Sequence, residues 1–184
     1  MIRFIIRSIL ILIILILLAP IVFAVDSVTR DKLFNEATSL CGIYSKVCKV
    51  MQANDDKYMW GQTNPQDEIR LSSALIKRMN EAQVRGVLFH EVGHVVFNHA
   101  GRTIDYVALC GRRCDPIVIS EMRKRYELEA DRFATYVGIY AHKEVDLIGA
   151  LLILTPPEHI NSNNPTHPST ADRIKEIRRI KDAK

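Results

Sequence analysis

The stretch that decides the fold is VLFHEVGHVVFNH, Val87 to His99, in which three histidines and one glutamate interrupt a mostly apolar run. His90 and His94 are four residues apart, so on a helix they project from one face, about 40° from each other, and both imidazoles can reach one ion. Glu91 lies one position along and faces the open side of such an ion, where a carboxylate acts as general base toward water. The alternative is an amphipathic core helix that tolerates its histidines.

A third ligand has to come from another segment. His99 stands five residues beyond His94, and on one continuous helix this spacing turns it about 140° away from the shared face. We therefore expect His99 to be an ordinary residue at the end of the helix, favourably placed against the negative end of the helix dipole.

The segment YELEADRF, residues 126–133, supplies two carboxylates at the same spacing, Glu127 and Asp131. On a second helix, Glu127 would complete a set of two histidines and one glutamate, which leaves a fourth position open for water. Asp131, one turn further on, could hold the other ring nitrogen of a ligand imidazole and fix its tautomer. Glu129 is expected on the opposite, solvated side. Taken alone, the segment is typical of a charged surface helix.

Length and charge limit the class of protein. A chain of 184 residues is enough for one domain with a single sizeable core. The net charge of +4 is modest, and the basic residues are scattered or paired with acids. This pattern does not predict a nucleic-acid partner.

The N-terminus has the composition of a targeting segment. Arg3 and Arg7 precede an uninterrupted apolar run from Ser8 through Leu18. Such a run fits either a cleaved signal peptide or an uncleaved membrane anchor of about 20 residues. Both interpretations place the rest of the chain outside the cytoplasm, in the periplasm or at the outer face of the inner membrane, because the positive flank stays inside. We assign residues 1–25 to this segment and residues 26–184 to a single domain.

Four cysteines, Cys41, Cys48, Cys110 and Cys114, fit an exported chain. Their even number indicates two disulfides, although free buried thiols are the alternative. If Cys41 and Cys48 share one helix, their Cα atoms lie about 10 Å apart, too far for a disulfide. They would then pair with the other two cysteines, unless the segment is not one helix. The CGRRC sequence is a candidate for a disulfide-closed turn at the rim of a cleft.

Apolar periodicity predicts a mainly helical protein of the α+β class with a small β-hairpin or sheet. The first helix would begin at Asp26 or Thr29 and end at ANDD, residues 53–56, and turn signals with extended pieces on both sides follow at residues 60–61 and 64–65. The next helical stretch is expected within residues 73–102, with a break at 79–80 and a cap at Asn80. A long helix is expected within residues 120–141, with Ser120 as its cap. Two more helices are expected within residues 143–155, before two prolines, and from a cap at Ser169 or Thr170 onward.

Three motifs in this order resemble those of the HtpX-like zinc metallopeptidases, a gluzincin family that includes the CAAX prenyl proteases and several periplasmic quality-control proteases. The motifs are HEVGH, ELEAD in the form Glu-x-x-x-Asp, and THPST followed by DRI. The likeness covers roughly Ile69 to Ile177, most of the chain after the apolar segment. It implies a zincin-like metallopeptidase domain.

The resemblance also implies roles for particular residues. His90, His94 and Glu127 would be the ligands of one Zn²⁺, Glu91 the catalytic base, and Asp131 the acid that supports a ligand. It further draws attention to His167 in the HP motif, which in relatives lies near the metal. There, such a histidine stabilises the tetrahedral oxyanion or occupies the open metal position in a latent state, and a plain structural role in a loop is the third alternative.

The function that follows is zinc-dependent endopeptide hydrolysis of protein or peptide substrates outside the cytoplasm, with envelope protein quality control as a possible setting. The alternative is an inactive or latent zinc-binding exported protein that acts as a binding module. Glu91 favours the enzyme, because a structural zinc site has no use for an uncoordinated glutamate beside an open position. The segment between the first two motifs, residues 98–126, is short and lacks long apolar spans, so we expect a soluble catalytic domain with at most the N-terminal anchor.

Overall fold

The computed structural model describes residues 25–162, 164 and 166–184. In chain order they form helix α1 (Ser27–Ile43), strands β1 (Lys49–Ala53), β2 (Gly61–Thr63) and β3 (Glu68–Ser72), and helices α2 (Ser73–Arg78), α3 (Glu81–Val96), α4 (His99–Cys110), α5 (Pro116–Tyr140), α6 (Leu147–Leu154) and α7 (Thr170–Asp182). This confirms the mainly helical α+β class with a small sheet. The targeting segment predicted for residues 1–25 lies outside the described residues, except for Val25. Within the described part, none of the helices has the length and hydropathy that crossing a bilayer requires.

Helix α3 carries the HEVGH motif and lies at the centre of the fold. The break predicted before it is confirmed: Met79 is extended, and Asn80 caps the new helix in a capping box with Gln83. The helix packs against α1, α5, α6 and the strands β2 and β3. Because neighbours surround it, side chains on several of its faces are buried, including the consecutive Val87, Leu88 and Phe89.

The sheet places one short strand beside the HEVGH helix. Its order is β1–β3–β2, with β1 parallel and β2 antiparallel to β3. β2 and β3 form a hairpin whose turn is closed by Asn64, which accepts hydrogen bonds from the backbone N–H groups of Gln66 and Glu68. Because β3 lies between the other two strands, β2 is an edge strand. Gly61 allows it to approach α3, because a Cβ at this position would lie 2.9 Å from the side chain of Val87.

Helices α3 and α5 are in close contact at Gly93, the glycine of HEVGH. A Cβ at Gly93 would lie 3.0 Å from the Cα atom of Ala130 and 3.3 Å from the side chain of Phe133. The separation of two packed helices depends on the side chains at their contact, so a glycine here brings the two backbones together. This contact sets the distance between the histidines on α3 and Glu127 on α5.

The prediction that the first helix extends to ANDD is wrong. Asp26 caps α1, one of the two predicted starts, but the helix ends at Ile43 and the chain turns through Ser45, whose φ is 57°. Tyr44 and Val47 fitted a buried helical stripe by spacing, yet their side chains are 45% and 89% exposed. The following residues instead pair with β3 as strand β1, which satisfies their backbone groups.

The start predicted for the long fifth helix is also wrong. α5 begins at Pro116, four residues before Ser120, and its cap is Asp115, which accepts from the backbone N–H of Ile117. Proline is favoured at the first position of a helix because its missing N–H has no partner there. The cap of the last helix is Ser169, one of the two predicted positions.

The four cysteines form two disulfides, Cys41–Cys48 and Cys110–Cys114. The first pair can bridge because α1 ends between its members, so that their Cα atoms lie 6.1 Å apart. Cys41 and Cys48 thus do not share one helix, which was the condition under which they could pair with each other. The second disulfide closes the CGRRC turn between α4 and α5.

The close contact at Gly93 predicts that Gly93→Ala destabilises the fold by about 1–3 kcal/mol, since the methyl group would have to force α3 and α5 apart. The measurement is urea-induced unfolding with a chelator present, so that metal binding does not contribute. Gly42→Ala in α1 is the matched control: an added Cβ there has nothing within 4 Å, and the better helix former should stabilise by up to about 1 kcal/mol. Equal unfolding free energies for the two variants would contradict the packing described here.

Candidate metal centre

The structure brings together the three residues predicted as metal ligands. His90 and His94 lie on α3 and Glu127 lies on α5. Each offers one ligand atom, and these atoms all lie within 4.8 Å of one another. Within the described residues, this is the one group of three or more histidine, cysteine or acidic side chains with such spacing. All three side chains are largely buried at the base of a cleft of about 800 Å³.

The spacing of these atoms is close to that around a single tetrahedral ion. His90 Nε2 and His94 Nε2 are 3.1 Å apart, and each lies 3.5 Å from a different oxygen of Glu127. Ligands at the usual zinc distances of about 2.0–2.2 Å are separated by about 3.3 Å along the edges of a tetrahedron. Two imidazoles and one carboxylate are also the donors of open catalytic zinc sites, although other divalent ions accept them.

The charges around the ligands also fit a divalent cation. Three buried carboxylates, Glu91, Glu127 and Asp131, accompany one buried guanidinium, Arg173. With all four groups ionised and the histidines neutral, the cluster carries two negative charges in a buried environment, where uncompensated charge is costly. A doubly charged cation would neutralise it.

Asp131 lies behind His90, in the position expected for a supporting acid. Its Oδ1 is 2.9 Å from His90 Nδ1, and its side chain is fully buried. Because a carboxylate only accepts, His90 carries a proton on Nδ1, and the neutral ring leaves Nε2 free to bind a metal.

Arg173 on α7 is a site residue that the sequence analysis did not single out. Its Nε and Nη2 donate to the two oxygens of Asp131, both at 2.7 Å, and its Nη1 is 3.5 Å from Glu127. The arginine lies inside the DRI part of the third motif. A buried carboxylate such as that of Asp131 requires a cationic partner, and this requirement could have indicated that an arginine or lysine belongs to the site.

Glu91 faces the same cleft and is held by the edge strand. Thr63 Oγ1 on β2 donates to Glu91 Oε2 at 2.8 Å. Burial raises the pKa of Glu91, which moves this carboxylate toward the range in which a general base works at neutral pH.

His99 is not the helix-end residue that its spacing predicted. α3 ends before it, and Asn98 takes a left-handed conformation with φ of 53°, which turns the chain back so that His99 begins α4. The ring is 3% exposed, with Nδ1 2.9 Å from His94 Nδ1 and Nε2 2.9 Å from Glu129. Glu129 is half-exposed rather than fully solvated. The 140° estimate was wrong because it assumed one continuous helix.

His167 lies beside the cluster, on the loop before α7. Its Nε2 is 3.6 Å from an oxygen of Glu127, and its Nδ1 is 2.7 Å from the hydroxyl of Thr166. It lines the cleft, and its side chain is 49% exposed. It is not part of the group whose ligand atoms all lie within 4.8 Å of one another.

The buried groups shift one another's protonation strongly. Burial lowers the pKa of His90, but hydrogen bonds to Asp131 and Glu127 outweigh it and raise the pKa to about 10. Burial likewise raises the pKa of Asp131, but the charges and hydrogen bonds of Arg173 and His90 together outweigh it and lower the pKa to about 2. Burial and the positive charge of His90 lower the pKa of His94 to about 3.

These shifts predict that zinc uptake releases protons. The pKa of His90 is raised to about 10, so at pH 8 the metal-free ring is expected to be charged, whereas a ligand imidazole is neutral. Binding should release about one proton, measured by titration calorimetry in two buffers of different ionisation enthalpy. Asp131→Asn should release less, because it removes one carboxylate that raises the pKa of His90. Identical heats for the wild-type chain in both buffers would contradict the prediction.

Two family models match the chain. The model described as peptidase family M48 matches residues 44–112, which include the sheet and α3. The model described as Peptidase U49 matches residues 84–182, from the first turns of α3 to the end of α7. No curated protein sequence matches significantly. The matches confirm a metallopeptidase-family member, whereas the closer likeness to HtpX-like and CAAX proteases stays a prediction. Because the second match spans more than half of the 184 residues, the chain belongs to the peptidase family U49.

Proposed function

We propose that this peptidase is a zinc-dependent endopeptidase that acts on proteins or peptides outside the cytoplasm, with envelope protein quality control as a possible setting. The observation that carries the proposal is the position of Glu91. Its carboxylate is buried in the wall of the cleft, next to two histidines and a glutamate spaced for one ion. Glu91 has no part in that ligand set and is available for proton transfer.

The residues of the cleft would have separate roles in hydrolysis. His90, His94 and Glu127 would hold the ion, which when bound supplies Lewis-acid polarisation of water and of the peptide carbonyl. Glu91 takes a proton from the attacking water and delivers it to the leaving amine nitrogen. Thr63 donates to one oxygen of Glu91, which orients the carboxylate.

The edge strand β2 gives the cleft a way to hold an extended peptide. The backbone hydrogen bonds from Ser72 N–H to Trp60 O and from Asn64 N–H to Glu68 O flank β2, so its middle residue Gln62 is the one that bonds to β3, opposite Arg70. The neighbours of Gln62, Gly61 and Thr63, line the cleft. In an antiparallel pair, alternate residues turn their backbone N–H and C=O groups away from the partner strand. Those of Gly61 and Thr63 can therefore pair with the backbone of a substrate added as a further strand, independently of its side chains.

The cleft also offers an apolar wall. Val87 on α3 and Leu151 and Leu154 on α6 line the same space as the candidate ligands. Transfer of an apolar side chain from water to such a wall is favourable. We therefore propose that the preferred substrates carry a large apolar residue next to the cleaved bond, as unfolded proteins do in abundance.

The proposed location rests on the sequence of residues 1–25 and on two disulfides. Disulfides persist in oxidising compartments, and both pairs of cysteines bridge in this fold. Whether residues 1–25 serve as a signal peptide or as an anchor, the proposal keeps the catalytic domain outside the cytoplasm.

The proposal predicts that Glu91→Gln abolishes proteolysis while zinc stays bound, because the amide cannot take up the proton but leaves the ligands in place. Cleavage of an unfolded test protein should fall by a factor on the order of 10²–10⁴, with zinc content measured on the same sample. Glu121→Gln, an exposed acid on α5, is the matched control and should keep full activity. Undiminished cleavage by Glu91→Gln would refute the mechanism, whereas a wild-type chain that binds zinc but cleaves nothing would favour the alternative of a zinc-binding module.

We further propose that His167 assists catalysis and does not block the metal. Its half-exposed ring faces the cleft, outside the group of ligand atoms, where Nε2 can donate to the oxyanion of the tetrahedral intermediate. His167→Ala should lower kcat by a factor on the order of 10² with unchanged zinc affinity. Increased activity of this variant would contradict the proposal and indicate a latent enzyme with His167 as fourth ligand.

A further inference from the structure

We infer that His99 and Glu129 form a positioning pair that fixes His94 as a metal ligand. The inference rests on the proposed metal centre and extends it to two residues outside the ligand set. His99 would hold the His94 ring in one tautomer and one orientation, and Glu129 would hold His99 in turn. The affinity of the site for zinc would then depend on α4 as well as on α3 and α5.

The tautomers follow from three consecutive contacts. The carboxylate of Glu129 accepts only, so His99 Nε2, 2.9 Å away, carries a proton. In the neutral ring, His99 Nδ1 is then an acceptor. His94 Nδ1 lies 2.9 Å from it and must donate. Neutral His94 is thus left with an unprotonated Nε2, the atom that lies 3.1 Å from His90 Nε2.

The two histidine ligands would therefore be oriented by different means. His90 is held directly by a carboxylate, Asp131, which is fully buried and paired with Arg173. His94 is held by an imidazole, and the carboxylate lies one residue further away. When the two rings are neutral, each arrangement leaves Nε2 unprotonated, and the two Nε2 atoms lie 3.1 Å apart.

Several contacts hold His99 itself in place. Its ring stacks on Tyr126, with centroids 4.2 Å apart and an interplanar angle of 7°, and Phe97 stacks at 5.6 Å. Arg102 donates to Glu129 at 3.2 Å and lies over the Tyr126 ring. These contacts keep the ring from turning, so that its Nδ1 stays aimed at His94.

The sequence NHAG, residues 98–101, favours the turn that places His99 next to His94. Asparagine tolerates the left-handed conformation better than most residues. Gly101 leaves room for the Asn98 side chain, which a Cβ at residue 101 would overlap. The local sequence thus favours the reversal that returns His99 to the site.

The test compares zinc affinities of the full chain and its variants by competition with a chelator. His99→Phe keeps an aromatic ring for stacking on Tyr126 but removes the acceptor, and should lower the affinity by a factor on the order of 10–100. In His99→Gln, the side chain can accept from His94 and donate to Glu129, so this variant should keep most of the zinc affinity that His99→Phe loses. Glu129→Ala, on a half-exposed residue, should weaken binding as well. His142→Asn, which removes an exposed histidine at the far end of α5, should leave the affinity unchanged.

A second readout separates positioning from a general loss of stability. The visible spectrum of the Co²⁺-loaded chain reports ligand geometry and should change in His99→Phe but return in His99→Gln. Unfolding midpoints in chelator show whether each variant folds. Wild-type affinity and spectrum in a folded His99→Phe would overturn the positioning pair alone. A wild-type chain that takes up no zinc would overturn the metal centre, and the positioning pair with it.

Discussion

Two rigid helices have to bring three ligand atoms within a few ångströms of one point, and the contact between Gly93 and Ala130 makes this possible. A larger residue at either position would move α5 away from α3, and with it Glu127 from the two histidines. The glycine of HEVGH therefore has a packing function that is separate from the chemistry of its neighbours. The same helix, α3, is both the centre of the core and one wall of the cleft.

The second requirement is compensation of buried charge. Asp131 and Glu127 face Arg173 across the junction of α5 and α7, and the last helix is thereby tied to the ligand His90. Without a cation in the cluster, His90 keeps an extra proton, and its raised pKa of about 10 reflects the same excess of negative charge. The proposed metal binding, the predicted proton release and the anchoring of α7 would thus all follow from one electrostatic arrangement.

The residue types and their spacing predicted much of the site, because helical periodicity is a local property. His90, His94, Glu127, Asp131 and Glu91 come together as the motifs indicated, although their chemical roles stay predictions. Arg173 and His99 could not be placed in the same way. The first depends on how α7 packs, and the second on a single left-handed residue, Asn98, that breaks the helix. Strand β1 was missed for a related reason: tertiary pairing with β3 overrode a helical pattern.

The proposed function requires that His90, His94 and Glu127 bind one zinc ion. Anomalous diffraction on both sides of the zinc absorption edge, from crystals of the chain grown with zinc, tests it most directly. We expect a peak within about 2.0–2.2 Å of Nε2 of His90, Nε2 of His94 and an oxygen of Glu127. A peak held by other residues, or none in the cleft, would contradict it.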